Sequence, residues 1–293
     1  MSPPPTSTDV DADLGGVLFR GELISLPADG KGHDAGLVGD GFVGLADGST
    51  PLLRSEDIDA HAYARLALER LCRHRSLAPR EMFREALAEA EASSAPIAES
   101  PSCTAVAVTA SDGLLRGGLL GDCLAVIRHR DGRCTVAWDR RLDRFDGPVA
   151  ARMARDVAGG MSLESAREAA GPQLLANRNE ANTKGSYWLF ADDPAAAEHV
   201  SLLSAPLGEV EDLLLCTDGF TRLIEPFGIV RDPEDLIRRA AAEGLAALGS
   251  ELRAAESAPE SFSRFPRLDV SDDATATLLR AEALKVTRGP TGN

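Results

Sequence analysis

The residues in this chain best suited to chemistry are aspartates placed where apolar runs stop. In residues 42–50, FVGLADGST, a run of strand-forming and small residues ends on Asp47-Gly48, which sets a carboxylate at the mouth of a buried strand beside a permissive backbone. The device recurs: LLLC leads into Asp218-Gly219, Asp272-Asp273 open the alternating stretch ATATLLR, and Asp34 in KGHDAGLV opens the segment leading to the first run. Taken singly, an Asp-Gly pair after a strand is an ordinary turn. Four acidic stations at four strand ends can instead converge in one oxygen-rich site, the donor chemistry that Mg2+ and Mn2+ prefer.

The elements that must position these groups can be read from periodicity. Residues 1–13, rich in Pro, Ser, Thr and Asp, are expected to be a disordered tail, followed by one domain over residues 14–284 and a loose tail at 285–293. Residues 16–25 and 42–46 read as strands around a turn-rich link at 29–34. Ser55 is expected to cap a helix through Ile58, Leu66 and Leu71, and Pro79 to open a second carrying Met82, Phe83, Ala86, Leu87 and Ala90. Residues 103–138 alternate with period two, and SDG and RDG mark hairpin turns, which predicts an antiparallel meander.

A helical insert follows at about residues 140–185, with helices expected at 149–158 and 162–170 and then the polar stretch NRNEANTKG. Strands are expected at 187–190, 199–204 and 213–216, an alanine-rich helix at 233–248 starting from Asp232-Pro233, and a closing strand at 274–280. Helix pairs around a strand-rich middle do not fit a regular βαβ alternation. They predict an α+β fold, an alpha-beta-beta-alpha sandwich of two antiparallel sheets flanked by helix pairs.

At 293 residues the chain can bury a sizeable core, and acidic stations spread from Asp34 to Asp272 favour one domain. The net charge of -15, with no basic tract to offset it, argues against a nucleic-acid or anionic-membrane partner. Five cysteines scattered without CxxC or zinc spacing suit a reducing compartment. The start MSPPPTSTDVDAD has neither a basic nor an apolar signal region, and no apolar run has the length of a membrane span. A soluble, cytoplasmic protein is expected.

The ordered series HDAGLV, GLADGS, SCTAVAVT, GGLLGDCLAVIRHRDG, LLLCTDGF and DDATATLLR resembles the PP2C-type (PPM family) metal-dependent serine/threonine phosphatases in their bacterial form, over about residues 17–280. The resemblance implies the same sandwich fold, with the 140–185 insert as a variable flap beside the active site. It also implies two Mn2+ or Mg2+ ions, and in some bacterial members a third, with a bridging water that attacks the phosphorus of a phosphoserine or phosphothreonine in a protein substrate. By motif, Asp47 matches the bridging carboxylate, Gly48 the backbone carbonyl ligand, and Asp218 and Asp272 the carboxylates of the second metal. Asp47 and Asp218 are thereby the candidate catalytic pair. Asp34 matches the acid of a Glu-Asp pair in which His33 here replaces the glutamate, and Asp122 matches the turn where a third metal binds. Asp273 is the rival of Asp272, since adjacent residues of a strand face opposite ways.

The sequence also departs from the family pattern. Ser49-Thr50-Pro51 follows Asp47-Gly48 in place of the DGxGG continuation, and the histidine general acid of many eukaryotic members has no counterpart. Asp29 stands where the phosphate-binding arginine is usual, leaving Lys31 and Arg222 as candidates for that contact. Two other functions stay open on the same residues: a non-catalytic phosphatase-like module that binds a phosphorylated partner, and a phosphomonoesterase acting on a small metabolite.

Overall fold

The computed structural model describes residues 7–28, 32–49, 59–90 and 96–282. Its strands are β1 (Ser7–Leu14), β2 (Val17–Leu26), β3 (Asp34–Gly39), β4 (Phe42–Gly48), β5 (Cys103–Ser111), β6 (Leu114–Leu120), β7 (Leu124–His129), β8 (Cys134–Trp138), β9 (Ser201–Pro206), β10 (Val210–Cys216) and β11 (Ala274–Ala281). They form two antiparallel sheets, a six-stranded one in the order β1-β2-β11-β10-β7-β8 and a five-stranded one in the order β3-β4-β5-β6-β9.

Alternation along each strand explains why the sheets stack. On β10, Leu213 and Leu215 point into the inter-sheet core with Val43 and Leu45 of β4, while Leu214 and Cys216 point to the opposite face. That outer face is covered by α6 (Pro233–Glu243) and α7 (Leu245–Ser257) through Leu236, Ile237, Leu248 and Leu252. The outer face of the other sheet is covered by α1 (Ala60–Arg73) and α2 (Pro79–Ala88), where Leu68, Leu71, Met82 and Phe83 pack on Phe42 and Ala46. The result is the expected alpha-beta-beta-alpha sandwich.

The insert consists of α3 (Asp143–Ala158) and α4 (Leu163–Asn179), which bury Val149, Met153, Ala166, Ala170 and Leu174 against each other. It leans on the short α8 (Ser261–Arg264) through Phe262. A one-turn helix, α5 (Asp218–Thr221), follows β10. Among the described residues no helix is long and apolar enough to cross a membrane.

Several expectations are corrected. Residues 7–13 belong to β1 and not to a disordered tail: in STDVDADL, Ala12 and Leu14 reach the inter-sheet core while the acids alternate outward, a period that the polar composition conceals. The strand expected at 187–190 is irregular and touches β5 through the single bridge Cys103–Phe190. The helix expected over 233–248 divides at Gly244, whose φ of 86° no right-handed helix accepts. The first helix is capped by Asp59, which accepts from the Ala62 amide. Ser55, residues 1–6 and the tail at 285–293 lie outside the described residues.

Because Leu215 is fully buried between the sheets, Leu215→Ala is expected to lower the unfolding free energy by about 2–5 kcal/mol in urea titration. Val136→Ala on β8, 41% exposed, is expected to change it by less than about 0.5 kcal/mol. Equal effects would contradict the core assignment.

Candidate metal centre

The acidic stations are delivered by the ends of strands from both sheets. Asp34 opens β3 and sits directly opposite Asp47 in the β3–β4 register. Asp218 follows β10 after one intervening residue, Thr217, and Asp272 precedes β11. Gly219 brings these last two together: a Cβ there would stand 1.9 Å from the Asp273 carbonyl oxygen, an approach only glycine allows. Asp122 leaves the β6–β7 connection just after Gly121, whose φ is 81°.

Asp47, Gly48, Asp122, Asp218 and Asp272 all line one cleft of about 170 Å³. Asp34, 4% exposed, does not line this cleft but a second cavity with Ala35, Leu37 and His61, and its Oδ2 accepts a 2.8 Å hydrogen bond from the Thr217 hydroxyl. Thr217 is the clasp between the sheets at this end, since the same Oγ1 accepts from the Thr275 amide at 2.9 Å.

Crowding shows in the electrostatics. Withdrawal from water pushes the Asp34 carboxyl up to about 7, partly opposed by hydrogen bonds from Thr217 and Thr275, with the charges of Asp218 and Asp272 adding to the rise. Asp47 is raised well above the ordinary carboxylate range by burial first and then by Asp218, Asp34, Asp272 and Asp122. Asp218 rises to about 6 through burial first and then the charge of Asp272, held back in part by Arg222 and Asp47. Asp122 is also raised well above its usual range, chiefly by burial.

The oxygens Asp34 Oδ1 and Asp122 Oδ1 are buried with no hydrogen-bond partner, a costly state for carboxylate oxygens and one that suits hard-cation ligands. The donor set thus fits divalent cations in its chemistry. As the side chains stand, no group of three or more His, Cys, Asp or Glu among the described residues forms a metal-holding cluster. The Arg222 guanidinium takes up part of this set: it pairs with Asp272 while also reaching Glu256 at 3.5 Å and the Asp269 carbonyl at 3.3 Å.

The Asp272/Asp273 pair precedes β11, so strand alternation does not apply to it. Asp273 closes the β2–β3 link by accepting from the amides of Ala28 at 2.6 Å and His33 at 2.5 Å. Asp272 is the one held by Arg222 at the cleft. Arg222 is 8% exposed and engaged with three acceptors. Lys31 and Asp29 lie outside the described residues. Sequence reasoning missed the far wall of the cleft, where α3 and α4 contribute Asp146, Asn177 and Arg178. The polar run NRNEANTKG held the last two and was the available signal.

A pH dependence follows for the cation-free protein. The folded state keeps protons on Asp34 and Asp218 up to about 7 and 6, whereas the unfolded chain releases them near 3.8. Between these limits the folded state binds more protons, so stability falls as pH rises through that window and levels off above it. Asp47→Asn removes a buried carboxyl that would otherwise have to stay protonated or carry a charge among Asp34, Asp122, Asp218 and Asp272. Without divalent cations it is expected to be more stable than the parent at pH 7.5, by on the order of 1–3 kcal/mol, and to gain less from added Mn2+. A cation-free variant less stable than the parent in thermal unfolding would contradict the crowding described.

Comparison with known proteins gives fold-level likeness. The sequence matches no family model and no curated protein. Among solved structures, the Mycobacterium tuberculosis serine/threonine phosphatase PstP/Ppp is 16% identical, with a TM-score of 0.51 over 91% of this chain and 100% of that one. Weaker likenesses are the PstP catalytic domain in complex with two manganese ions (17% identical, TM-score 0.48, 91% and 99% covered) and Stp1 of Staphylococcus aureus (14%, 0.49, 89% and 94%). With its two antiparallel sheets between helix pairs, the chain has the alpha-beta-beta-alpha sandwich fold of the PP2C-type phosphatases.

Proposed function

We propose that this protein is a divalent-cation-dependent phosphoric monoester hydrolase acting on phosphoserine and phosphothreonine in proteins. The observation that carries the reading is the gathering of Asp47, Asp122, Asp218 and Asp272 on one cleft, backed by Asp34, at the strand ends of this fold. Asp47 and Asp218 are the central pair, with Asp34, Asp272 and the Gly48 carbonyl completing the oxygen donors and Asp122 offering a further one. When bound, two Mn2+ or Mg2+ ions supply an ionised water at neutral pH and neutralise charge on the phosphoryl group.

The chain's own residues do the rest. Burial and mutual crowding raise the carboxyls of Asp47 and Asp218, and the Thr217 hydroxyl holds Asp34 by its Oδ2. The α3–α4 insert walls the cleft and limits solvent on one side. All five cysteines are free thiols, in keeping with a reducing, cytoplasmic setting.

The test is turnover of para-nitrophenyl phosphate and of a phosphothreonine peptide with Mn2+ or Mg2+. Asp218→Asn is expected to lose more than about 100-fold in kcat/KM, since even outer-shell partners of metal ligands cost 10–100-fold. Absence of turnover with every divalent cation, with phosphopeptide binding retained, would overturn the hydrolase reading in favour of a phosphate-binding module. Turnover of small phosphoesters alone would redirect the substrate class to metabolites.

A further inference from the structure

The acidic floor of the cleft would repel a phosphate dianion unless a cationic side chain faces it, and the usual arginine position is occupied in this sequence by Asp29. Arg222 is engaged with Asp272, Glu256 and the Asp269 carbonyl. Arg178, at the C-terminal end of α4, lines the same cleft from the opposite wall. It differs from most arginines of this molecule in having no carboxylate within ion-pairing distance among the described residues. Its recorded hydrogen bond is a 3.3 Å one from Nη1 to the Ser102 hydroxyl. A guanidinium has five N–H donors, so one long bond to a neutral oxygen leaves most of them available.

The position of Arg178 is fixed by its neighbours. Asn177 is 6% exposed, donates to the Phe145 carbonyl at 2.8 Å and accepts from Gln173 at 2.8 Å, and its carbonyl accepts from the Tyr187 hydroxyl at 3.0 Å. These bonds tie the end of α4 to α3 and to the 187–190 segment. On the other side, the Ser102 carbonyl accepts from the Ser49 amide at 3.0 Å, so the residue that Arg178 touches is bonded to the chain two residues after Asp47. Asp146 of α3 lines the same wall, and its carboxyl is raised to about 6 by burial, partly opposed by the charge of Arg178 and a hydrogen bond from Asn177.

We propose that Arg178 holds the phosphoryl oxygens of the substrate, taking from the insert the part that Asp29 cannot play. The planar fork suits bidentate contact with two phosphate oxygens, and its charge offsets the repulsion from the floor. This inference rests on the phosphoester reading of the same cleft, but it is a statement about phosphate binding and can be tested without turnover.

The experiment titrates inorganic phosphate into the Mg2+-loaded protein by calorimetry and measures KM for para-nitrophenyl phosphate. Arg178→Ala is expected to weaken phosphate binding and raise KM roughly ten- to hundredfold, with Mg2+ affinity unchanged within about twofold. Arg178→Lys, which keeps the charge and loses the fork, is expected to lie between and decides the matter if the alanine variant does not fold. Arg152→Ala removes the 2.9 Å bond from α3 to the Ala169 carbonyl of α4 without touching the cleft. It should leave phosphate affinity within about twofold, so an equal loss there would reduce Arg178 to a packing role and overturn the proposal. Phosphate affinity unchanged in Arg178→Ala and Arg178→Lys, or no phosphate binding by the parent, would also overturn it. A parent that binds phosphate but turns over nothing would defeat the hydrolase reading while leaving the Arg178 comparison decisive.

Discussion

Carboxylates brought together away from water repel one another, and the architecture at this end of the sandwich forces several of them together. Two unit charges about 4 Å apart interact by roughly 4 kcal/mol at the effective dielectric of a protein interior near the surface. Asp34 and Asp47 are opposed by strand register, Asp218 and Asp272 by the glycine contact between α5 and the start of β11, and Thr217 draws the two sheets' ends together. The molecule tolerates this by holding protons on the crowded carboxyls, whose affinity for them is raised by burial, and with Arg222 on Asp272. Each of these devices occupies an oxygen that a cation would otherwise take, so proton, arginine and metal compete for one set of donors.

The remainder of the fold reads as support for that arrangement. Leu213 and Leu215 of β10 anchor the strand that presents Asp218, and Leu279 anchors β11 behind Asp272, all in the inter-sheet core. Burying such side chains contributes about 1.5–3 kcal/mol each, which is the scale needed to hold like charges in place. The outer helices seal the opposite faces and leave the strand ends open on the side where α3 and α4 stand.

Much of this was legible in the residues. Apolar runs ending on Asp-Gly pointed to β4 and β10 with their acids, and Pro79 and Asp232-Pro233 marked the starts of α2 and α6. Two things were hidden. The strand β1 is polar on its outer side, so composition masked its alternation. The role of the insert was hidden because Arg178 reaches the cleft through tertiary contacts of Asn177 and Tyr187, which no local pattern in NRNEANTKG encodes. Choosing between Asp272 and Asp273 likewise needed the amides of Ala28 and His33, which are distant in sequence.

The central claim is that these acids hold protons which divalent cations displace. Calorimetric titration with Mn2+ at pH 6, repeated in two buffers of different ionisation enthalpy, measures that exchange directly. Binding accompanied by release of about one proton or more per protein, falling as the pH is raised to 8, is the predicted result. Mn2+ binding without proton release at pH 6, or no binding at either pH, would contradict the account.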